Sequence, residues 1–89
     1  MIAHFHKRFK KNYKRRIFTN PSLDKHFEER FNLFLKDPSD PTLKDHPLTG
    51  NLKGLRAFWV TGDIKAVYYI RGGVIYFVDI GTHNQVYRK

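Results

Sequence analysis

Apolar residues change their period once along this chain, and that change limits what it can fold into. Phe5, Phe9, Tyr13 and Ile17 recur every fourth residue, which lays one apolar stripe along a helix. After Asn20-Pro21, Leu23, Phe27, Phe31, Phe34 and Leu35 continue at helical spacing. Asn can cap free amides and the fixed φ of Pro suits a first turn, so this pair reads as a helix start. Asp24, Glu28 and Glu29 fall in the first turns, where the helix dipole favours acids. The pattern predicts an αα-hairpin over residues 6–17 and 21–36. From residue 51 the chain reads as strands instead, over 52–60, 64–70 and 74–80. Thr61-Gly62-Asp63 breaks the first from the second. Arg71-Gly72-Gly73 makes a tight hairpin, because adjacent glycines supply the positive φ such turns require.

Residues 1–6 fit a short edge strand and 82–87 a final short strand or turn. Residues 37–50 hold three prolines, three aspartates and a glycine, and read as an ordered connector without elements of its own. Two helices followed by a meander predict one α+β domain over residues 1–89: an N-terminal helical hairpin packed on a small antiparallel sheet. Alternation sorts the strands into faces. Ile64, Ala66, Tyr68 and Ile70 oppose Asp63, Lys65, Val67 and Tyr69; Val74, Tyr76, Val78 and Ile80 oppose Ile75, Phe77 and Asp79. The sets holding Asp63 and Asp79 are expected on the face away from the helices, where a ligand would bind.

Composition narrows the function. Eight Phe, five Tyr and one Trp are more aromatics than a disordered chain carries, so a core is expected. No cysteine is present, which removes a disulfide framework, a zinc–thiolate site and a thiol nucleophile, and fits a reducing cytoplasm. No apolar run approaches the length of a membrane span, and the charged opening residues are not a signal peptide. Seventeen Lys and Arg against eight Asp and Glu give a net charge of +9. Seven of those cations lie within residues 7–16 with no acid among them. Such a surface favours a polyanion. The run can contact RNA or form a solvated helix face, and its density exceeds what solubility needs.

Five histidines are scattered along the chain. His4 and His6 would point the same way on a strand, yet without a third ligand they read as an exposed pair and no metal site is expected. His46 and His83 lack apolar neighbours on both sides and do not read as core. Asp63 sits at a strand break, where Asp is ordinary turn chemistry. Taken together, the three can converge on one edge of the open sheet face, beside Arg56 and Lys65. Such a group suits metal-free RNA cleavage. A base removes the ribose 2′-OH proton, an acid protonates the leaving 5′-oxygen, and a cation steadies the phosphoryl oxygens. Histidine suits both proton roles because its ordinary pKa lies near neutrality, and an aromatic such as Tyr87 can stack on a base. Ordinary RNA-binding domains share this charge and these aromatics.

The segment Lys44-Asp45-His46-Pro47-Leu48-Thr49-Gly50, continued by Leu52-Lys53-Gly54-Leu55-Arg56, resembles the DHPL segment of YafQ-type toxins in the RelE superfamily. Ile64-Lys65-Ala66-Val67-Tyr68 is similar to the family's aromatic and basic strand, and Gly81-Thr82-His83 to Tyr87 to its terminus. The resemblance implies a ribosome-dependent mRNA interferase, with a cognate antitoxin as partner and mRNA and ribosomal RNA as targets. It carries catalysis onto His46, Asp63 and His83, and RNA binding onto Lys53, Arg56, Lys65 and Tyr87. It implies no cofactor, and a monomer that joins a higher assembly with antitoxin. Two positions depart from the family pattern: Trp59 replaces a histidine and Asp79 an arginine. Trp59 reads as core, and Asp79 as a group that orients His83, pairs with Lys65 or Arg56, or is solvated. A ParE-like toxin that poisons gyrase and a plain RNA-binding protein remain as alternatives on the same fold.

Overall fold

The computed structural model describes residues 2–87. The chain runs β1 (Ile2–Phe5), α1 (Lys7–Arg16), α2 (Pro21–Lys36), β2 (His46–Pro47), β3 (Arg56–Trp59), β4 (Ile64–Arg71), β5 (Val74–Thr82) and α3 (His83–Tyr87), with 3-10 turns at Pro41–Leu43 and Gly50–Leu52. Asn20 accepts hydrogen bonds from the amides of Ser22 and Leu23 at 3.0 and 3.3 Å, and Pro21 follows in the first turn, so α2 starts where the sequence places it. Gly72 and Gly73 take φ of 57° and 79°, which closes the two-residue loop from β4 to β5. None of the described helices is long and apolar enough to cross a membrane.

The five strands form one sheet in the order β1-β5-β4-β3-β2. All pairs are antiparallel except β1 with β5, which are parallel, so the sheet is mixed at one edge. The helical hairpin covers one face. Phe77 is fully buried at the centre of that packing, with ring centroids of Phe5, Phe9 and Phe31 within 5.3, 5.5 and 5.7 Å. Phe34 stacks on Phe58 from α2 at 5.0 Å. Leu35 lies outside this core, 38% exposed, and Leu33 packs against it instead.

Strict alternation fails in β5. The register passes from Tyr68↔Phe77 to Val67↔Asp79, which leaves Val78 as the extra residue of a bulge. Ile75 and Phe77 therefore lie under the helices, contrary to the expectation that they share a face with Asp79. Asp79 lies outside that core, opposite Val67 in the register, where α1 reaches it through Asn12. Three further expectations are corrected. The connector contains the first 3-10 turn and β2, and the second 3-10 turn begins at its end. The first strand of the meander starts at Arg56, because Leu52 belongs to a turn and Gly54 takes φ of 95°. Residues His83–Tyr87 form a helix rather than a strand or turn. The cause is a reciprocal cap: Gln85 Oε1 accepts from the Thr82 amide at 2.8 Å and Thr82 Oγ1 from the Gln85 amide at 3.3 Å. Val86 then packs with Ala57 and Val67 in a second, smaller apolar cluster on the open face.

Candidate active site on the open sheet face

His46 stands on the shortest strand. β2 pairs with β3 through His46↔Ala57, which pins the imidazole at the sheet edge. His46 Nδ1 lies 2.9 Å from the Lys44 carbonyl. A carbonyl only accepts, so Nδ1 carries the hydrogen and Nε2 of the neutral ring keeps its lone pair. Lys44 supplies that carbonyl from a left-handed backbone at φ 49°, held at the end of the first 3-10 turn.

His83 opens α3 and is exposed. Four residues on, Tyr87 meets it on the same helix face, with ring centroids 4.5 Å apart and edges at 81°. The Tyr87 hydroxyl is shielded from solvent and has no hydrogen-bond partner among the described residues. Burial pushes its pKa up. His46, His83 and Tyr87 line one cavity of about 370 Å³, with Leu48, Asn51 and Leu52 beside them. His83 also borders a second depression of about 250 Å³, lined by Asp63, Lys65 and Asn84. The two hollows meet at His83.

Lys65 is buried, yet its ammonium is well supplied. It donates to the Gly62 carbonyl at 2.8 Å and sits 4.1 Å from the centre of the Trp59 ring. Burial lowers its pKa, and the Asp63 charge partly opposes that. Trp59, which the sequence reads as core, is therefore not part of it. It is half-buried on the open face, opposite Lys65 in the register and between the ammonium groups of Lys65 and Lys44. Aromatic faces attract such cations.

Arg56 does not join this group. It pairs with Tyr68 in the register and so lies toward the helix-covered face. Its Nη2 and Nε are 2.7 and 2.8 Å from Asp45 Oδ1, and the Tyr68 hydroxyl donates to the other oxygen of the same carboxylate. The Asp45 hydrogen bond raises the Arg56 pKa further above its ordinary value. Lys53 is exposed at the end of the second 3-10 turn and lines neither hollow.

Asp79 contacts none of the partners that the sequence suggests. Its carboxylate is buried and accepts from Asn12 Nδ2 at 2.7 Å and from the Ile80 amide at 2.8 Å. Arg16 Nη1 approaches at 3.4 Å while donating to the Ile80 carbonyl at 2.9 Å, and Arg8 Nη2 lies 3.3 Å from the other oxygen. Two of the seven cations in the basic run are thus turned toward the sheet. Sequence reasoning missed Asn12, Arg8 and Arg16 as a unit. A signal existed for Asn12: it is the one uncharged polar residue in the run, and it follows Phe9 at helical spacing. The arginines carried no such mark. The missed cap of α3 was also legible, as a Thr three residues before a Gln.

The family profile described as "Bacterial toxin of type II toxin-antitoxin system, YafQ" matches residues 1–88. No curated protein matches the chain. Among solved structures, YafQ of E. coli strain BL21(DE3) superposes with a TM-score of 0.81 at 22% identity, covering 96% of each chain. A copper-bound mutant toxin from Helicobacter pylori gives a TM-score of 0.80 at 25% identity, covering 97% of this chain and 98% of its own. YafQ in the E. coli DinJ-YafQ toxin-antitoxin complex gives 0.75 at 21% identity, covering 96% and 94%.

Proposed function

The chain belongs to the YafQ family of bacterial type II toxins, and from that premise we propose that it is an endoribonuclease that cuts messenger RNA on the ribosome in the cytoplasm without a metal ion. The observation that carries this reading is the meeting of His46, His83, Asp63 and Lys65 around two hollows that share His83.

His46 is the general base. Its Nδ1–H is committed to the Lys44 carbonyl, so the free Nε2 lone pair takes the proton of the ribose 2′-OH. The 2′-oxygen forms a bond to the adjacent phosphorus, and the bond to the 5′-oxygen breaks. His83 gives its proton to that leaving oxygen, which yields a 2′,3′-cyclic phosphate and a 5′-hydroxyl. The Lys65 ammonium steadies the charge that gathers on the phosphoryl oxygens, and Trp59 and Gly62 hold it in place. Asp63 lines the hollow that His83 and Lys65 share and presents a carboxylate beside the reacting phosphate. Tyr87 offers a ring to a base at the wall of the first hollow. Lys53 and Arg56 add positive charge outside the two hollows, where they attract the RNA backbone, although Nη2 and Nε of Arg56 are already engaged by Asp45. The partner that silences the toxin is a cognate antitoxin, as DinJ is in the E. coli complex. It covers part of the open sheet face or displaces the segment of His83 and Tyr87.

The test is message cleavage in a bacterial cell-free translation reaction, with the 5′ ends of the message mapped. Ribosome-dependent cuts by the native protein, lost by about a hundredfold or more in His83→Ala, support the reading. Intact message with translation blocked would replace it with a binding mechanism at the ribosome. Intact message with normal translation would refute it and make gyrase inhibition the next assay.

A further inference from the structure

Beyond the candidate active site, the same sheet face carries a group of rings that the reaction does not use. Tyr69 on β4 and Tyr76 on β5 are register partners whose rings stack at 4.8 Å and 14°. His4, the register partner of Tyr76 on β1, packs its ring against Tyr76 at 5.6 Å. His6 completes the set, 6.0 Å from Tyr76 and 6.1 Å from Tyr69, with its Nε2 3.4 Å from the Tyr69 hydroxyl. Aromatics on the opposite face are buried under α1 and α2. These four are exposed or half-buried. The packing of α3 reaches Val67 and Val78 and stops short of them.

Two further observations tie the rings to an anionic chain. A hollow of about 410 Å³ runs from His6 and Arg8 past Val78 to Leu55 and Leu52, and Leu52 also lines the hollow of His46 and His83. His6 of the ring group and Leu52 of the candidate active site thus line the same hollow. Arg8 stands over it with its guanidinium held 3.3 Å from Asp79 while more than half of the side chain remains exposed. Tyr69 lies four residues along β4 from Lys65, roughly 13 Å at the rise of a strand. One strand of RNA threaded along the groove therefore meets a cation, an apolar floor and then flat rings.

We propose that His4, His6, Tyr69 and Tyr76 form a stacking platform for unpaired RNA bases outside the cleaved bond, with Arg8 as the phosphate anchor between platform and active site. The inference rests on RNA being the substrate. Single-stranded nucleic acid is held in this way because every base has a π-face while the backbone needs only cations. A double helix hides those faces, so the platform selects single strands.

The test uses the intact protein and a fluorescein-labelled, 2′-O-methylated single strand of mixed base composition, which the 2′-OH chemistry cannot cut. Binding is read by anisotropy across a salt series. Tyr69→Leu and Tyr76→Leu, each alone, are expected to weaken binding by about tenfold, while Tyr69→Phe and Tyr76→Phe keep the rings and the native affinity. Arg8→Gln is expected to lower the salt slope by about one. The same sequence as a duplex is expected to bind more weakly than the single strand. Leucine variants that bind as the native protein does, or a native protein that does not bind the strand, would overturn the platform. In the first case, a surface reserved for a protein partner would be the reading left. Ring-dependent binding by a protein that leaves message intact would uphold the platform and sink the nuclease reading.

Discussion

Replacing Asp79 with alanine tests whether the carboxylate buried beneath the basic helix stabilises the fold or merely occupies it. The side chain is 5% exposed and accepts from Asn12 and the Ile80 amide, with Arg16 and Arg8 beside it. In Asp79→Ala the buried Asn12 amide loses its acceptor, at a cost of about 1–3 kcal/mol. Removing one partner of a buried ion pair costs about 3–5 kcal/mol. That range is an upper bound here, because Arg8 is 57% exposed and Arg16 keeps the Ile80 carbonyl. Water recovers most of the loss at Arg8. The expected total is about 3 kcal/mol. For a domain of this size each kcal/mol moves Tm by roughly 4–8 °C, so Tm falls by about 12–24 °C. Asp79→Asn keeps an acceptor for Asn12 and Ile80 and is expected to lose about half as much. The assay is thermal unfolding followed by circular dichroism at neutral pH, in low and high salt. A fall of less than about 4 °C in Asp79→Ala would refute the reasoning. It would mean that the cost of taking the carboxylate out of water cancels its contacts.

Other consequences are open to measurement. In Gly81→Ala the new Cβ would lie 2.6 Å from Gln85 Oε1 and 2.8 Å from Arg16 Nη1. Both ends can move aside, but the cap of α3 is lost with them, so about 1–2 kcal/mol of stability and most message cleavage should go together. Cleavage at the native rate would refute the link between that cap and His83. The phenols of Tyr13 and Tyr68 are raised above their ordinary value, first by burial and then by Asp24 and Asp45. The unfolded chain therefore releases these protons at lower pH than the folded one. Their contribution to stability is complete below about pH 10 and lost as pH rises beyond it. Lys65, with its lowered pKa, acts in the opposite sense. Urea unfolding at pH about 9 and about 10.5 should show native stability falling more steeply than that of Tyr68→Phe, and equal slopes would contradict the assignment.

The helices were readable because their signals are local. Asn20-Pro21 needs only its own next residues to start α2, and a stripe at every fourth position needs only one neighbouring surface. The strands were readable in number but not in facing. Alternation assigned Lys65 and Val67 correctly in β4, yet misplaced Ile75 and Phe77, since a bulge in β5 depends on pairing with β4 and has no mark of its own in the sequence. The site shows the same division. His46, Asp63, His83 and Lys65 were picked out by residue type and resemblance, and the fold gathers them around shared hollows. The placement of Arg56 beside the histidines does not hold, because its facing follows from the register with Tyr68 and its engagement from Asp45, eleven residues away. Asp79 was misjudged for a related reason: its partners come from α1, most of the chain's length distant.

The parallel pairing of β1 with β5 sets the order in which the protein can be made. Residues 2–5 find their places only against residues 74–77, and the hollow of His46 and His83 needs the helix that follows. Contacts this remote in sequence form late, since a long loop must close before they return anything. A growing chain thus presents a cationic helix to the machine that is building it, but no assembled pocket. For a type II toxin, the topology works as a delay: the pocket closes only once residues 74–87 have joined the fold.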